Sequence, residues 1–341
     1  MSQAVTEHVA RSDRHTTFYL AAGPVDGPLV VFVHGWPELS ISWRHQLPVL
    51  AGLGFRAVAP DMRGYGRSSV YDTHDAYRLE ETVADMRELL AALGRDKAVW
   101  VGHDWGSPVV WSLASHHPEL VAGVASLCVP CALEEGLDEV LKYADRRLYP
   151  EDEFPAAQWE YMRFYEENFD KACRTFDADP YNTVKALFRK GNPEGRGKPS
   201  LTAYTRQTGG WFGGADAAPD VPRDPDVVTE ADLRTYAAAL ARNGFFGPDS
   251  WYMNHQANAA YARSAKDGGR LAMPALFLAA AYDYVCETID SRLAEPMRDR
   301  CADLTEVVVN SGHWMAQEKP AEVNAALVRW LATKLPEMWP G

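Results

Sequence analysis

Short β-branched runs alternate with helix-length amphipathic stretches along most of the chain. Leu29–Val33, Arg56–Ala59 and Ala98–Val101 read as buried strands, a further strand is expected around Val124, and Leu276–Leu278 and Thr305–Val309 add two near the C-terminus. Between strands, Val83, Met86, Leu90 and Leu93 recur at spacings of 3, 4 and 3, which paints one helical face. Val323, Leu327, Trp330 and Leu331 form a second such face behind Pro320, a residue well suited to a helix start. This alternation predicts a mostly parallel sheet with helices on both sides.

The pattern breaks between residues 131 and 266. That span reads as several helices without a buried strand and holds nine of the 15 tyrosines, so an aromatic inner surface is expected. From Gly191 to Asp226 it is rich in Gly, Pro and Asp, the composition of a long loop, and Thr229-Glu-Ala-Asp232 resembles a capping box opening a new helix. The chain therefore divides into an α/β core in two parts, 1–130 and 267–341, and a helical cap, 131–266, inserted between them. Cores of this kind place their sites where loops gather at strand ends.

Composition narrows the function classes. At 341 residues, 47% hydrophobic and 24% charged, the chain has ordinary globular values for one large domain with an insertion, or for two domains. Its 34 basic and 47 acidic residues give a net charge of −13, a field that repels nucleic acid and anionic lipid. Five cysteines (128, 131, 173, 286 and 301) are too few and odd in number for a disulfide framework, which favours a reducing compartment. Cys128-Val-Pro-Cys131 has a redox-like spacing, but it follows an apolar run and has no second pair to complete a zinc site. Packing is its expected role. Residues 1–14 are polar without a secretory-signal pattern, and the longest apolar run, Leu271–Ala281, falls well short of the ~20 residues of a membrane helix. A soluble, cytoplasmic protein is expected.

The sharpest chemical signal is Val101-Gly102-His103-Asp104-Trp105-Gly106, between an expected strand and a helix-like segment from Ser107 to Ala114. It is the small-x-nucleophile-x-small pattern of a strand–turn–helix elbow, with Asp104 at the nucleophile position. Gly102 and Gly106 suit a turn in which strand and helix close on each other. A serine there would need deprotonation, whereas a carboxylate with a reference pKa near ~3.9 is already ionised at neutral pH. It can attack a strained carbon to give an ester. Taken alone, the pattern suits a helix N-cap aspartate equally.

Chain order adds context. On such elbows the nucleophile is followed by an acid and then a histidine. Asp283 comes just after the strand Leu276–Leu278, and His313 is the only histidine beyond it, in Asn310-Ser311-Gly312-His313-Trp314. Singly, Asp283 also suits a turn and His313 a packed loop. Near the N-terminal strand, His34-Gly35-Trp36-Pro37-Glu38 offers a glycine for close backbone approach and a proline that fixes the turn and admits a cis bond. The backbone amides of Trp36 and Trp105 are then candidates for an oxyanion hole.

These segments, with Trp43-Arg44-His45-Gln46, Asp61-Met-Arg-Gly-Tyr-Gly-Arg67-Ser68 and Gly312-His313-Trp314-Met315, resemble the epoxide hydrolases of the α/β-hydrolase superfamily over roughly residues 15–335. The resemblance implies an α/β-hydrolase fold with an inserted cap. It further implies Asp104 as nucleophile, His313 and Asp283 as the water-activating pair, and a small apolar epoxide and water as substrates. His34, Pro37, Glu38 and His103 become supporting residues, Glu38 positioning His313 or water, and no cofactor or metal is required. Two cap tyrosines complete the family's site, because an alkoxide leaving group needs a proton and a phenol with pKa near ~10 can donate one. Trp251-Tyr252-Met253-Asn254 resembles the second tyrosine motif; Tyr161-Met-Arg-Phe-Tyr165 resembles the first more loosely, with Tyr161 chosen and Tyr165 and Tyr149 as alternatives. Haloalkane or haloacid dehalogenases share the aspartate elbow, and a non-catalytic small-molecule binder remains the rival of another class. A serine esterase is disfavoured by Asp104. His45, His116, His117, His255 and the Gly209–Gly214 loop carry no recognisable ligand or phosphate pattern, and Asp61 and Arg63 read as turn architecture.

Overall fold

The computed structural model describes residues 4–341, so the first three residues of the polar segment 1–14 lie outside the described residues. The expected strands form, most of them longer than their apolar cores. They are β3 (Leu29–Val33), β4 (Arg56–Pro60), β5 (Ala98–His103), β6 (Val121–Leu127), β7 (Leu271–Ala280) and β8 (Cys301–Val309). Two strands precede them, β1 (Thr6–Arg11) and β2 (Thr16–Ala22). One sheet results, in the order β1-β2-β4-β3-β5-β6-β7-β8. β1, β2 and β4 pair antiparallel; every later neighbour is parallel.

Five helices of the core flank the sheet: α1 (Leu47–Gly52), α2 (Leu79–Ala92) and α3 (Gly106–His116) before the insertion, α10 (Glu295–Arg300) and α12 (Pro320–Lys334) after it, with the short α11 (Met315–Glu318) leading into the last. Of the two expected apolar faces, Val83, Met86 and Leu90 are buried on α2, with Leu93 half-buried just past its end, and Val323, Leu327, Trp330 and Leu331 are buried on α12. α3 is buried almost all round, as a helix must be when it packs behind a central strand under further structure.

Between β6 and β7 there is no strand. The chain there forms α4 (Leu137–Val140), α5 (Glu160–Asp177), α6 (Pro180–Leu187), α7 (Glu230–Asn243), α8 (Phe246–Ser250) and α9 (His255–Arg263). The capping box at the start of α7 is complete: Thr229 accepts from the Asp232 amide, and the Asp232 carboxylate accepts from the Thr229 amide. Two short 3₁₀ turns, Pro193–Gly195 and Leu201–Tyr204, interrupt the long loop expected at 191–226. No helix is long and apolar enough to cross a membrane among the described residues.

Candidate active site

The ends of β3 and β5 meet where backbone crowding leaves no room for side chains. A Cβ on Gly102 would overlap the Gly106 carbonyl, and one on Gly106 would overlap the Val33 carbonyl. Between these glycines Asp104 takes φ +49°, a left-handed conformation costly for a residue with a Cβ. The turn thereby lifts the carboxylate off the strand end and into a cavity. Gly35 faces it so closely that a Cβ there would overlap the Asp104 side chain. The next residue's amide, Trp36 N–H, donates to Asp104 Oδ1 at 2.6 Å, and the Trp36–Pro37 bond is cis.

The structure brings three separate strand ends together at this point. His313 Nε2 lies 3.3 Å from Asp104 Oδ2, and its Nδ1 donates to Asp283 Oδ2 at 2.6 Å. Asp283 Oδ1 in turn accepts from the Val285 and Cys286 amides, so the acid is buried and its orientation fixed. Burial alone would lower the His313 pKa, but two facing carboxylates, Asp283 and Asp104, hold it well above the ordinary histidine value. Burial would likewise raise Asp283, and the His313 contact holds it below the usual carboxylate range.

A second layer of hydrogen bonds supports the His313 loop. Glu38 Oε2 accepts from His103 Nδ1 at 2.7 Å and from the Gly35 amide at 3.0 Å, while His103 Nε2 faces the His313 carbonyl at 2.7 Å. The ring is thereby held between the Glu38 carboxylate and the His313 carbonyl. Burial alone would raise Glu38, yet His103 and the Gly35 amide hold it down to about 2. His34 is also buried; its Nδ1 donates to the Gly35 carbonyl and its Nε2 accepts from the Met62 amide, the pattern of a neutral ring. The same loop is tied to the insertion by Glu318, whose Oε2 accepts from both Gly312 and Gly191 amides.

Residues from the segment between β6 and β7 and from the chain on both sides of it line a cavity of about 500 Å³, among them Trp36, Asp104, Tyr161, Trp211, Tyr252 and His313. That size suits a small organic ligand. Tyr161 and Tyr252 stand edge-on to one another, ring centroids 5.6 Å apart. Burial, reinforced by Cys286 and Asp104 at Tyr161 and by Asp104 at Tyr252, pushes both phenols well above their ordinary pKa, so both present O–H donors. The two alternatives sit elsewhere. Tyr165 stacks behind Tyr252 at 4.8 Å and is not part of the cavity wall, and Tyr149 spends its hydroxyl on the Ser200 amide in a neighbouring cavity. Trp211, from the Gly209–Gly214 loop, is a wall residue that no motif in the sequence singles out; its only signal is a lone tryptophan among glycines.

Two groups of three potential metal ligands meet at His313: His103, Cys128 and His313, and Asp283, Cys286 and His313. The imidazoles already serve the hydrogen bonds above, and burial, with nearby carboxylates, pushes both thiols well above their usual pKa, which disfavours the thiolates that metals bind. The remaining residues noted in the sequence have structural places. Asp61 accepts from Ser40 and the Arg67 amide, Arg63 pairs with buried Asp85, and His116 stacks on Tyr261.

Comparison with known proteins follows the same lines. Residues 28–320 match the α/β-hydrolase fold family. Epoxide hydrolase A of Mycobacterium tuberculosis is 32% identical, the alignment covering 96% of this chain and 98% of that protein. Epoxide hydrolase B of the same organism is 34% identical, over 92% and 94% respectively. The crystal structure of epoxide hydrolase A from Mycobacterium thermoresistibile superposes with a TM-score of 0.79 at 31% identity, covering 97% of this chain and 99% of the other. With this fold, this elbow and these relatives, the chain belongs to the epoxide hydrolases of the α/β-hydrolase family.

Proposed function

We propose that the protein converts epoxides to vicinal diols through an ester on Asp104. The observation that carries this reading is one cavity walled by a strained-turn carboxylate and, from the insertion, two buried tyrosine donors. An Asp104 oxygen attacks one epoxide carbon and the C–O bond of the ring breaks. Tyr161 and Tyr252 hydrogen-bond the departing oxygen and supply its proton, so it leaves as an alcohol. Esterification removes the negative charge of Asp104. His313 then faces one carboxylate, Asp283, in place of two, and its proton affinity falls towards the range of a general base.

In the second step His313, oriented by Asp283, takes a proton from water as the hydroxide adds to the ester carbonyl. The oxyanion forms beside the amides of Trp36 and Trp105, donors that are worth most in a dry site. Collapse breaks the ester C–O bond, the departing alkoxide takes the proton of the added hydroxide, and the diol leaves with Asp104 restored as carboxylate; the proton that His313 gave up after ester formation returns the tyrosine to its phenol. Glu38 and His103 hold the His313 backbone in place, with His34 and Pro37 shaping the turn beneath. Residues 131–266 act as a cap that brings the proton donors over the nucleophile. The substrate is a small, largely apolar epoxide. Five free cysteines, four of them buried, suit a reducing compartment, and we place the protein in the cytoplasm.

The test is a side-by-side screen of epoxides and alkyl halides with the wild type and Tyr252→Phe. Diol formation from epoxides, lowered about 10-fold or more by the substitution with Tyr161 left as the second donor, is expected. Halide release that survives the loss of the tyrosine would identify a dehalogenase, and tight binding without turnover would identify a receptor.

A further inference from the structure

Asp249, the fourth residue of α8, is a fully buried carboxylic acid. No ion pair involves it among the described residues. Its Oδ1 accepts from the Trp36 indole N–H at 2.8 Å, and Cys173 Sγ lies 3.5 Å from its Oδ2. Neither neighbour is charged. An ionised carboxylate held only by an indole and a thiol would be poorly compensated for lost hydration. Burial, with Asp177 nearby, accordingly pushes Asp249 well above the usual carboxylate range, so it is held as the neutral acid.

Its partner sits at the centre of the site. Trp36 donates at both ends, its backbone N–H to Asp104 Oδ1 at 2.6 Å and its indole N–H to Asp249. The indole also packs against Tyr252, Phe176 and Trp211, with centroids 6.0, 5.5 and 5.3 Å away. Asp249 lies three residues before Tyr252 in one continuous buried turn. A single buried hydrogen bond thus joins the core loop bearing one proposed oxyanion donor to the cap segment bearing one proposed proton donor.

We infer that Asp249 is a positioning residue that, through the Trp36 indole, fixes the Trp36 amide and Tyr252 relative to Asp104. This rests on the roles proposed above for Trp36 and Tyr252. The acceptor oxygen, and not a charge, is what the role requires. Asp249→Asn keeps a neutral acceptor of the same shape, Asp249→Ala removes it, and Trp36→Phe removes the donor while keeping the backbone amide.

Two measurements on the intact protein test the inference. The first is the Trp36 indole ¹H–¹⁵N resonance, assigned by its loss in Trp36→Phe. The second is stopped-flow single turnover, with styrene oxide as probe, resolving ester formation from ester breakdown. In Asp249→Ala the indole resonance should move and ester breakdown should slow ~10-fold or more, as expected when an oxyanion donor is loosened. Asp249→Asn should keep the resonance hydrogen-bonded and restore breakdown to within about threefold of wild type. Trp36→Phe should be slowed like Asp249→Ala, and the double variant no further than either single one, because both remove the same bond. Wild-type rate constants in folded Asp249→Ala, an Asn variant as slow as Ala, or additive losses would overturn the inference. Should Asp249→Ala not fold, Asp249→Asn and Trp36→Phe carry the same comparison. A wild type that forms no ester would instead defeat the proposed function, while the indole resonance would still report the bond.

Discussion

His313 holds one carboxylate on each ring nitrogen, Asp283 on Nδ1 and Asp104 on Nε2. In the free enzyme that geometry favours the imidazolium, and on the proposed mechanism loss of the Asp104 charge frees the ring to act as a base. Ester breakdown should therefore fall as pH drops and the ring regains its proton, while ester formation should lack this limb; stopped-flow traces across pH separate the two. His313→Gln should accumulate a covalent adduct on Asp104, detectable by intact mass, and unchanged turnover without an adduct would remove His313 from the mechanism. Glu38 makes a separate statement about stability. Its folded pKa of about 2 lies below the unfolded value of ~4.3, so the stability it contributes is present above that unfolded value and is lost as pH falls towards 2. Urea unfolding between pH 5 and 2 should show a shallower acid loss in Glu38→Gln than in the wild type.

At the scale of elements, the parts legible in the sequence are those with one dominant physical cause. β3 and β5 are continuous apolar runs because both faces are buried, and the elbow announces itself because only glycine fits where α3 meets β3 and β5. Gly106→Ala should lower stability by at least about 2 kcal/mol, because the obstacle is the backbone of Val33 and His34, which cannot rotate aside. Thr229→Ala, which removes half of the capping box on α7, should cost about 1 kcal/mol by urea unfolding. β1 and β2 escaped the same reading. β1 lies at the sheet edge with no buried residue and a polar sequence, and β2 is buried on only some positions, so neither shows the apolar run that marks a central strand.

At the scale of the molecule, the candidate site is a meeting of segments far apart in the chain, and distance in sequence decides what can be foreseen. Asp104, Asp283 and His313 were approachable because each follows a strand end in a fixed order. Trp211 and Asp249 were not, since their places depend on how the insertion packs over the core, a matter of tertiary contact without local pattern. Tyr161 and Tyr252 stand between these cases, on recognisable motifs whose convergence only the folded chain displays. Replacing both with Phe should reduce diol formation far more than either change alone, measured as kcat on one epoxide, because each phenol can partly cover for the other.

The ester route and direct attack by water differ in where the diol's new oxygen comes from. A single turnover in H₂¹⁸O, with enzyme in excess over epoxide, followed by mass analysis of the diol and of the peptide containing Asp104, reads it directly. Attack by Asp104 yields unlabelled diol and one ¹⁸O in the Asp104 carboxylate. Labelled diol with an unlabelled Asp104 would mean that water attacks the epoxide itself, and would contradict the ester route.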